Sequence, residues 1–315
     1  MKNFALIGVG GYIAPRHLEA IKNTGNNLVA SLDKNDSVGI LDSFFPKSSF
    51  FTEFERFDRY LEKIRHKNGE KVDYVSICSP NYLHDAHCRF ALRIGADAIC
   101  EKPLVLNPWN VDALQELERE YGKKIYSILQ LRLHSAITSL KSRIETDTPD
   151  KIYDIDLTYI TSRGPWYEVS WKGDIKKSGG VTCNIGIHFF DMLLWIFGAA
   201  KTSIIHRYDT KGAAGYIELE RARVRWYLSL DKNDLPHAAV EKGLPTYRSI
   251  TIEGEELEFS GGFTELHTIS YEGILSGKGF GLSDVRPSIE LVSNMRTAPV
   301  EKGKGELHPY LEGRK

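Results

Sequence analysis

The sequence predicts an α/β domain followed by an α+β domain. Over the first 129 residues short apolar runs alternate with helical apolar patterns, the mark of βαβ units around a parallel sheet. From about Ile152 the apolar period falls to two, as in an open, mainly antiparallel sheet. A length of 315 residues, 42% of them apolar, is enough for two cores. The domains are expected at 1–129 and 130–315.

In chain order, strands are expected near Asn3–Gly8, Asn27–Leu32, Tyr74–Cys78, Ala98–Cys100 and Lys124–Leu129. Between them, Ala14, Leu18 and Ile21 share one helical face, and Leu114, Leu117 and Tyr121 share another. The main helix of the second domain is Ile187–Phe197, ended by Gly198. Ala222–Leu230 alternates apolar residues with Arg223, Arg225 and Ser229, which reads as a strand with one wet face. Ser249–Phe259 carries Gly254 between two alternating runs and reads as a hairpin. The composition of Glu301–Lys315 suggests poor packing.

A formal charge of −1 supplies no global field for nucleic acid or an anionic membrane, so any anionic ligand must be held locally. The four cysteines, Cys78, Cys88, Cys100 and Cys183, lie in apolar surroundings without CxxC spacing. They are expected as buried free thiols of a reducing cytoplasm, with no metal site. No signal peptide opens the chain, and no apolar run approaches the ~20 residues of a membrane span.

Gly8-Val9-Gly10-Gly11-Tyr12-Ile13 follows the first strand and opens a helix, so its backbone amides can face a pyrophosphate. Ile13 stands where the usual fingerprint has a third glycine, although Gly11 and Ala14 keep the region small. Asp33 ends the second strand about 20 residues on, where a carboxylate binds a ribose diol and repels a 2′-phosphate. NAD is therefore expected rather than NADP, with Lys34 the contrary signal. Ser79-Pro80-Asn81-Tyr82-Leu83-His84 follows the third expected strand, so Asn81 and His84 are expected near the nicotinamide ribose.

Lys102 sits between Glu101 and Pro103 at a strand end, placed to emerge beside the cofactor as a base or as a donor to an alkoxide. His188 opens an apolar helix, with Asn184 and Asp191 within a turn of it. The loop from Ser162 to Asp174 is longer than a strand connection requires and concentrates cations and aromatics. Arg163, Lys172 and Lys177 suit a carboxylate or diphosphate, while Trp166, Tyr167 and Trp171 suit a sugar or base.

Together these residues resemble the glucose-fructose oxidoreductase/inositol dehydrogenase family, with its Rossmann domain, Glu-Lys-Pro strand end and downstream histidine. Gly10–His17, Phe51–Asp58, Gln130–His134 and Gly179–His188 look like its UDP-N-acetylglucosaminuronate 3-dehydrogenase branch. The resemblance covers essentially the whole chain. It implies NAD-dependent oxidation at C3 of UDP-N-acetyl-D-glucosaminuronate, in a pathway toward diacetamido-uronate sugars of bacterial surface polysaccharide such as O-antigen. It also implies a homo-tetramer, with 2-oxoglutarate as a hydride acceptor in some members.

Catalysis is expected from Lys102 and His188. Cofactor contacts are expected from Gly8, Gly10, Gly11, Tyr12, Ile13, Asp33, Ser79, Asn81, His84, Glu101, Lys102 and Gln130. Substrate contacts are expected from Lys102, Arg132, Arg163, Tyr167, Trp171, Lys172, Asn184 and His188. Many family members carry Asp four residues before the histidine. Asn184 stands there in this chain, which moves the proton-transfer role toward Lys102. Two other readings compete: a dehydrogenase of a free polyol or sugar, and a non-catalytic NAD(H) sensor. The cationic loop argues against the first, and retention of Lys102 and His188 against the second.

Overall fold

Runs of three to six residues build a six-stranded parallel sheet in the computed structural model, which describes residues 1–67, 71–257 and 263–312. Its strands are β1 (Asn3–Ile7), β2 (Asn27–Leu32), β3 (Ser49–Phe51), β4 (Tyr74–Ile77), β5 (Asp97–Cys100) and β6 (Ile125–Ser127). They lie in the order β3-β2-β1-β4-β5-β6, all neighbours parallel. The order reverses between β1 and β4, and ligands of such sheets bind outside the carboxyl ends at that point. The Ala14–Asn23 helix buries Ala14, Leu18 and Ile21, as their spacing predicts. The Pro108–Tyr121 helix buries Val111 and Leu114 but leaves Tyr121 40% exposed, because left-handed Gly122 ends the helix there.

The chain divides into two units, Met1–Leu133 with Phe263–Arg286, and His134–Gly262 with Pro287–Lys315. The expected division at 129/130 lies four residues from the first junction, and the difference from it is the return of Phe263–Arg286 to the first unit. The Leu266–Leu275 helix belongs to the first unit, where Tyr271 and Ile274 pack into one cluster with Phe4, Leu6, Leu18 and Ile21. An apolar helical pattern shows that a helix has a core face, but not which sheet that face covers.

The second unit holds β7 (Tyr153–Thr161), β8 (Ala200–Tyr208), β9 (Gly212–Leu219), β10 (Ala222–Ser229), β11 (Thr246–Ile252) and β12 (Glu255–Glu256). Their order is β12-β11-β7-β10-β9-β8, antiparallel except for β7 beside β10. Glu253 and Gly254 turn β11 into β12 with φ of 54° and 81°, the positive pair a tight hairpin needs. The expected end of that hairpin, Glu258 and Phe259, lies outside the described residues. On one face Phe190 of the Ile187–Phe197 helix meets fully buried Trp226 edge-on at 5.2 Å. Each such aromatic contributes about 2–3 kcal/mol by burial.

The other face is not wet along its length. Arg223 and Arg225 pair with Asp154 and Asp156 across β10 and β7, but Ser229 is fully buried, its hydroxyl donating to Asp234 Oδ2 at 2.6 Å. Nor is the C-terminal stretch loosely packed. Val300 bridges to Ile205, His206 contacts the Lys304 carbonyl, and Tyr310 and Leu311 pack on Tyr227 and Ile160. The helical stretch Ile175–Phe197 is long and apolar enough to cross a membrane by length and composition alone. The reading by apolar runs missed it because Lys176, Lys177 and Asn184 interrupt it; most of it is buried in the protein.

Candidate cofactor and substrate sites

The turn after β1 is shaped by the absence of side chains. Gly8 has φ +89°, and a Cβ on it would lie 2.7 Å from the Cys78 carbonyl carbon and oxygen. Gly11 N–H donates to the Gly8 carbonyl at 3.0 Å and leads into the Ala14–Asn23 helix, whose first turn carries Pro15. Ile13, in place of the third glycine, packs against the core beside Leu18 and Ile21. Tyr12 is 96% exposed.

Asp33, just past β2, accepts from Gly10 N–H through Oδ2 and from Asn35 N–H through Oδ1, both at 2.9 Å. Each oxygen retains a lone pair for a hydroxyl. Gln130 Oε1 is buried without a hydrogen-bond partner among the described residues, an acceptor suited to an amide N–H. A glycine cradle, a carboxylate at the second strand end and an orphaned acceptor all fit a bound NAD.

Ser79, Asn81 and His84 are buried after β4. Ser79 Oγ meets His87 Nδ1 at 2.8 Å. His84 sets Nδ1 and Nε2 each 2.7 Å from a carbonyl, those of Pro103 and Ser79, and burial holds its pKa below the ordinary value. Both ring nitrogens of His84 thus face backbone carbonyls of the β4 and β5 turns, and the neutral ring donates its single N–H to one of the two.

After β5 comes Glu101, buried to 7% exposure. Its Oε1 lies 3.0 Å from both His17 Nε2 and His267 Nε2, and its Oε2 accepts from Lys102 N–H at 3.2 Å. Burial opposes its ionisation, yet the two imidazole hydrogen bonds prevail and hold the carboxyl well below the usual carboxylate range. His17 Nδ1 meets Tyr271 Oη at 2.7 Å, and Tyr271 Oη meets Ser76 Oγ at 2.6 Å. Sequence reasoning missed this network. The available signal was His17 on the same helical face as Ala14, Leu18 and Ile21.

Arg132, expected at the substrate, also anchors a segment of its own unit. It is 7% exposed, donates to the Asp284 carbonyl at 3.0 Å and lies 5.2 Å over the Phe280 ring, holding the returning segment.

In the second unit, the Ser162–Asp174 loop gathers its aromatics around cations. Lys172 Nζ lies 5.2 Å from the Trp166 ring centre and 5.3 Å from that of Trp171. Burial and nearby Arg163 hold its pKa below that of an ordinary lysine. Asn184 donates from Nδ2 to Tyr167 Oη at 2.6 Å, and Tyr167 is buried beside Trp166. Asn184 stands in a single wide π-helical turn, Thr182–Gly186, directly before the helix that carries His188. Such turns recur at functional sites because the extra residue re-aims side chains. His188 itself is half-buried, and Arg163 is exposed.

A glycine-turn parallel sheet with a carboxylate after its second strand, joined to a mixed-sheet unit bearing a cationic aromatic loop, defines the class of two-domain nicotinamide-dependent oxidoreductases. Two family descriptions match: "Oxidoreductase family, NAD-binding Rossmann fold" over residues 2–128 and "Oxidoreductase family, C-terminal alpha/beta domain" over residues 141–260. The chain belongs to this GFO/IDH/MocA oxidoreductase family.

Among solved structures, it is similar to the WlbA (WbpB) dehydrogenase from Thermus thermophilus in complex with NAD and alpha-ketoglutarate. Identity is 51% over 98% of this chain and 100% of that one, with a TM-score of 0.94. The same Thermus enzyme in complex with NAD and UDP-GlcNAcA matches at 50% identity with the same coverage and TM-score. D-glucoside 3-dehydrogenase of Escherichia coli is 28% identical over 45% of this chain and 41% of its own length. Glucose-6-phosphate 3-dehydrogenase of Bacillus subtilis is 25% identical over 62% and 54%. The chain thus spans about half the length of these curated relatives.

Proposed function

We propose that the protein oxidises the 3-hydroxyl of UDP-N-acetyl-D-glucosaminuronate to the 3-keto sugar nucleotide with NAD+. The observation that carries this reading is the full-length similarity to the Thermus dehydrogenase solved with NAD and UDP-GlcNAcA. NAD+, when bound, takes the hydride from the carbinol carbon. Gly8, Gly10 and Gly11 hold its pyrophosphate, Asp33 its ribose and Gln130 an amide. Lys102 is the proposed acceptor of the 3-hydroxyl proton, with His188 the alternative for that role. Arg163 and Lys172 hold the uronate and diphosphate, with Tyr167, Trp171 and Asn184 fixing the sugar. The ketone suits a following transamination on the way to surface polysaccharide, and four buried free cysteines suit a reducing cytoplasm.

A 2-keto acid is proposed as the acceptor that returns NADH to NAD+, because the Thermus enzyme was also solved with alpha-ketoglutarate. The test is incubation of purified protein with UDP-N-acetyl-D-glucosaminuronate and NAD+, with and without 2-oxoglutarate, following NADH absorbance and product mass. A product two mass units lighter is expected, with 2-oxoglutarate suppressing the NADH signal. Oxidation of myo-inositol or glucose as readily as the UDP-sugar would refute the substrate assignment.

A further inference from the structure

The backbone around Lys102 is gripped from both sides by buried histidines. Upstream, Glu101 is held by His17 from the Ala14–Asn23 helix and by His267 from the Leu266–Leu275 helix, and Glu101 in turn holds Lys102 N–H. Downstream, His84 Nδ1 lies 2.7 Å from the Pro103 carbonyl. We infer that His17, His267 and Tyr271 are positioning residues for Lys102, acting through Glu101. The inference rests on the reading of Lys102 as proton acceptor.

The hydrogen-bond directions follow from the groups. With Glu101 ionised, its oxygens only accept, so both imidazoles present Nε2–H. Burial favours a neutral His17, which leaves its Nδ1 to accept from Tyr271 O–H, and Tyr271 then accepts from Ser76. Every hydrogen in this buried path has one place to go, and the path ends on the amide of Lys102.

Anchoring the returning helix does not need such a device. Leu266, Tyr271 and Ile274 already bury apolar surface there, and a buried charge carries a desolvation cost that an apolar replacement avoids. A carboxylate retained at that cost, one residue from Lys102, fits a role in aiming the lysine. Misplacement of a reacting group by about 1 Å can cost ~100-fold in rate. The groups facing Glu101 are His17 and His267, with Tyr271, His84, Cys78 and Cys100 in its electrostatic surroundings. The ligand atoms of His17, Glu101 and His267 also lie within 4.8 Å of one another, a grouping that suits a zinc ion, yet their mutual hydrogen bonds satisfy them without one.

The test compares His267→Leu with His267→Gln in the full-length enzyme, the glutamine amide N–H standing near the site of the lost Nε2–H. His267→Leu is expected to lower kcat about tenfold or more while the KM for the UDP-sugar and the Kd for NAD+ stay within about threefold, and His267→Gln to recover most of the loss. Near-normal kcat in a folded His267→Leu overturns the inference, as does an equal loss in both variants. Activity that falls on dialysis against EDTA and returns with Zn2+ also overturns it, making the cluster a metal site. If His267→Leu does not fold, Tyr271→Phe substitutes: a lower kcat at unchanged KM supports the relay, and an unchanged kcat overturns it. Turnover by Lys102→Met would sink the reading of Lys102 itself, whatever the His267 variants do.

Discussion

Replacing Gly8 by alanine would put a methyl group where the chain has no room. The new Cβ would sit 2.7 Å from the Cys78 carbonyl carbon and oxygen and 2.8 Å from Ser79 N, all backbone atoms that cannot swing aside. At φ +89° the residue also takes the left-handed strain that only glycine escapes. Strain of about 1–2 kcal/mol plus crowding of about 1–3 kcal/mol gives a loss of roughly 2–5 kcal/mol. At about 2–4 °C per kcal/mol, Tm should fall by on the order of 10 °C. Gly25 is the internal control, because its φ is +70° but nothing lies within 4 Å of its added Cβ. Gly25→Ala should therefore cost only the strain, about 1–2 kcal/mol. Scanning calorimetry of both variants, with and without saturating NAD+, separates the two effects. Gly8→Ala should also blunt the stabilisation by NAD+, because relieving the clash moves the turn proposed to hold the pyrophosphate. Equal Tm values for the two variants, with undiminished stabilisation of Gly8→Ala by NAD+, would refute the close-packing argument.

Asp33→Ala removes the proposed ribose acceptor and the Gly10 N–H bond, so it should weaken NAD+ and narrow the gap to NADP+; equal use of both cofactors by the unmodified enzyme would defeat this. Lys102→Met should abolish turnover while NAD+ still binds, and His188→Asn should lower kcat by about 10–1000-fold; the reverse ranking would exchange their roles. Because Lys172 has a lowered pKa, it loses its charge sooner than an ordinary lysine as pH rises. The KM for the UDP-sugar should therefore climb at alkaline pH, and Lys172→Ala should start high and flatten that dependence. His308, buried in the second unit, has its pKa depressed to about 4 by burial against 6.5 unfolded, so the unfolded chain binds the extra proton first as pH falls. Its contribution, up to about 3 kcal/mol, should be present above pH 6.5 and lost toward pH 4. Unfolding midpoints across that window should fall less for His308→Asn.

The first sheet was legible because its strands alternate with helices whose apolar faces are complete in themselves, as at Ala14, Leu18 and Ile21. Strand β3 escaped because three residues at a sheet edge leave no period to read. The C-terminal stretch looked loose because composition counts charges and cannot see their partners: Glu306 reaches Arg225, and His308 meets Thr158 at 3.1 Å. At the site, the glycine turn, Asp33 and Lys102 could be found from spacing relative to strands. The Glu101 network could not, since His17 and His267 are 250 residues apart and only the fold brings them to one carboxylate. The Asp284 partner of Arg132 was hidden for the same reason, arriving on a segment 152 residues downstream.

The return of Phe263–Arg286 to the first unit also dictates when that unit can be finished. During synthesis the six parallel strands have emerged by Ser127, yet the helix that supplies Tyr271 and Ile274 to their core comes almost 140 residues later. Until then the surface of Phe4, Leu6, Leu18 and Ile21 waits uncovered while the intervening sheet is made. A fragment ending at residue 129 would carry every glycine of the nucleotide turn and still lack the wall behind it. A boundary drawn from the nucleotide motif alone therefore yields an incomplete, sticky domain, and a soluble nucleotide-binding piece would need the second segment spliced back in.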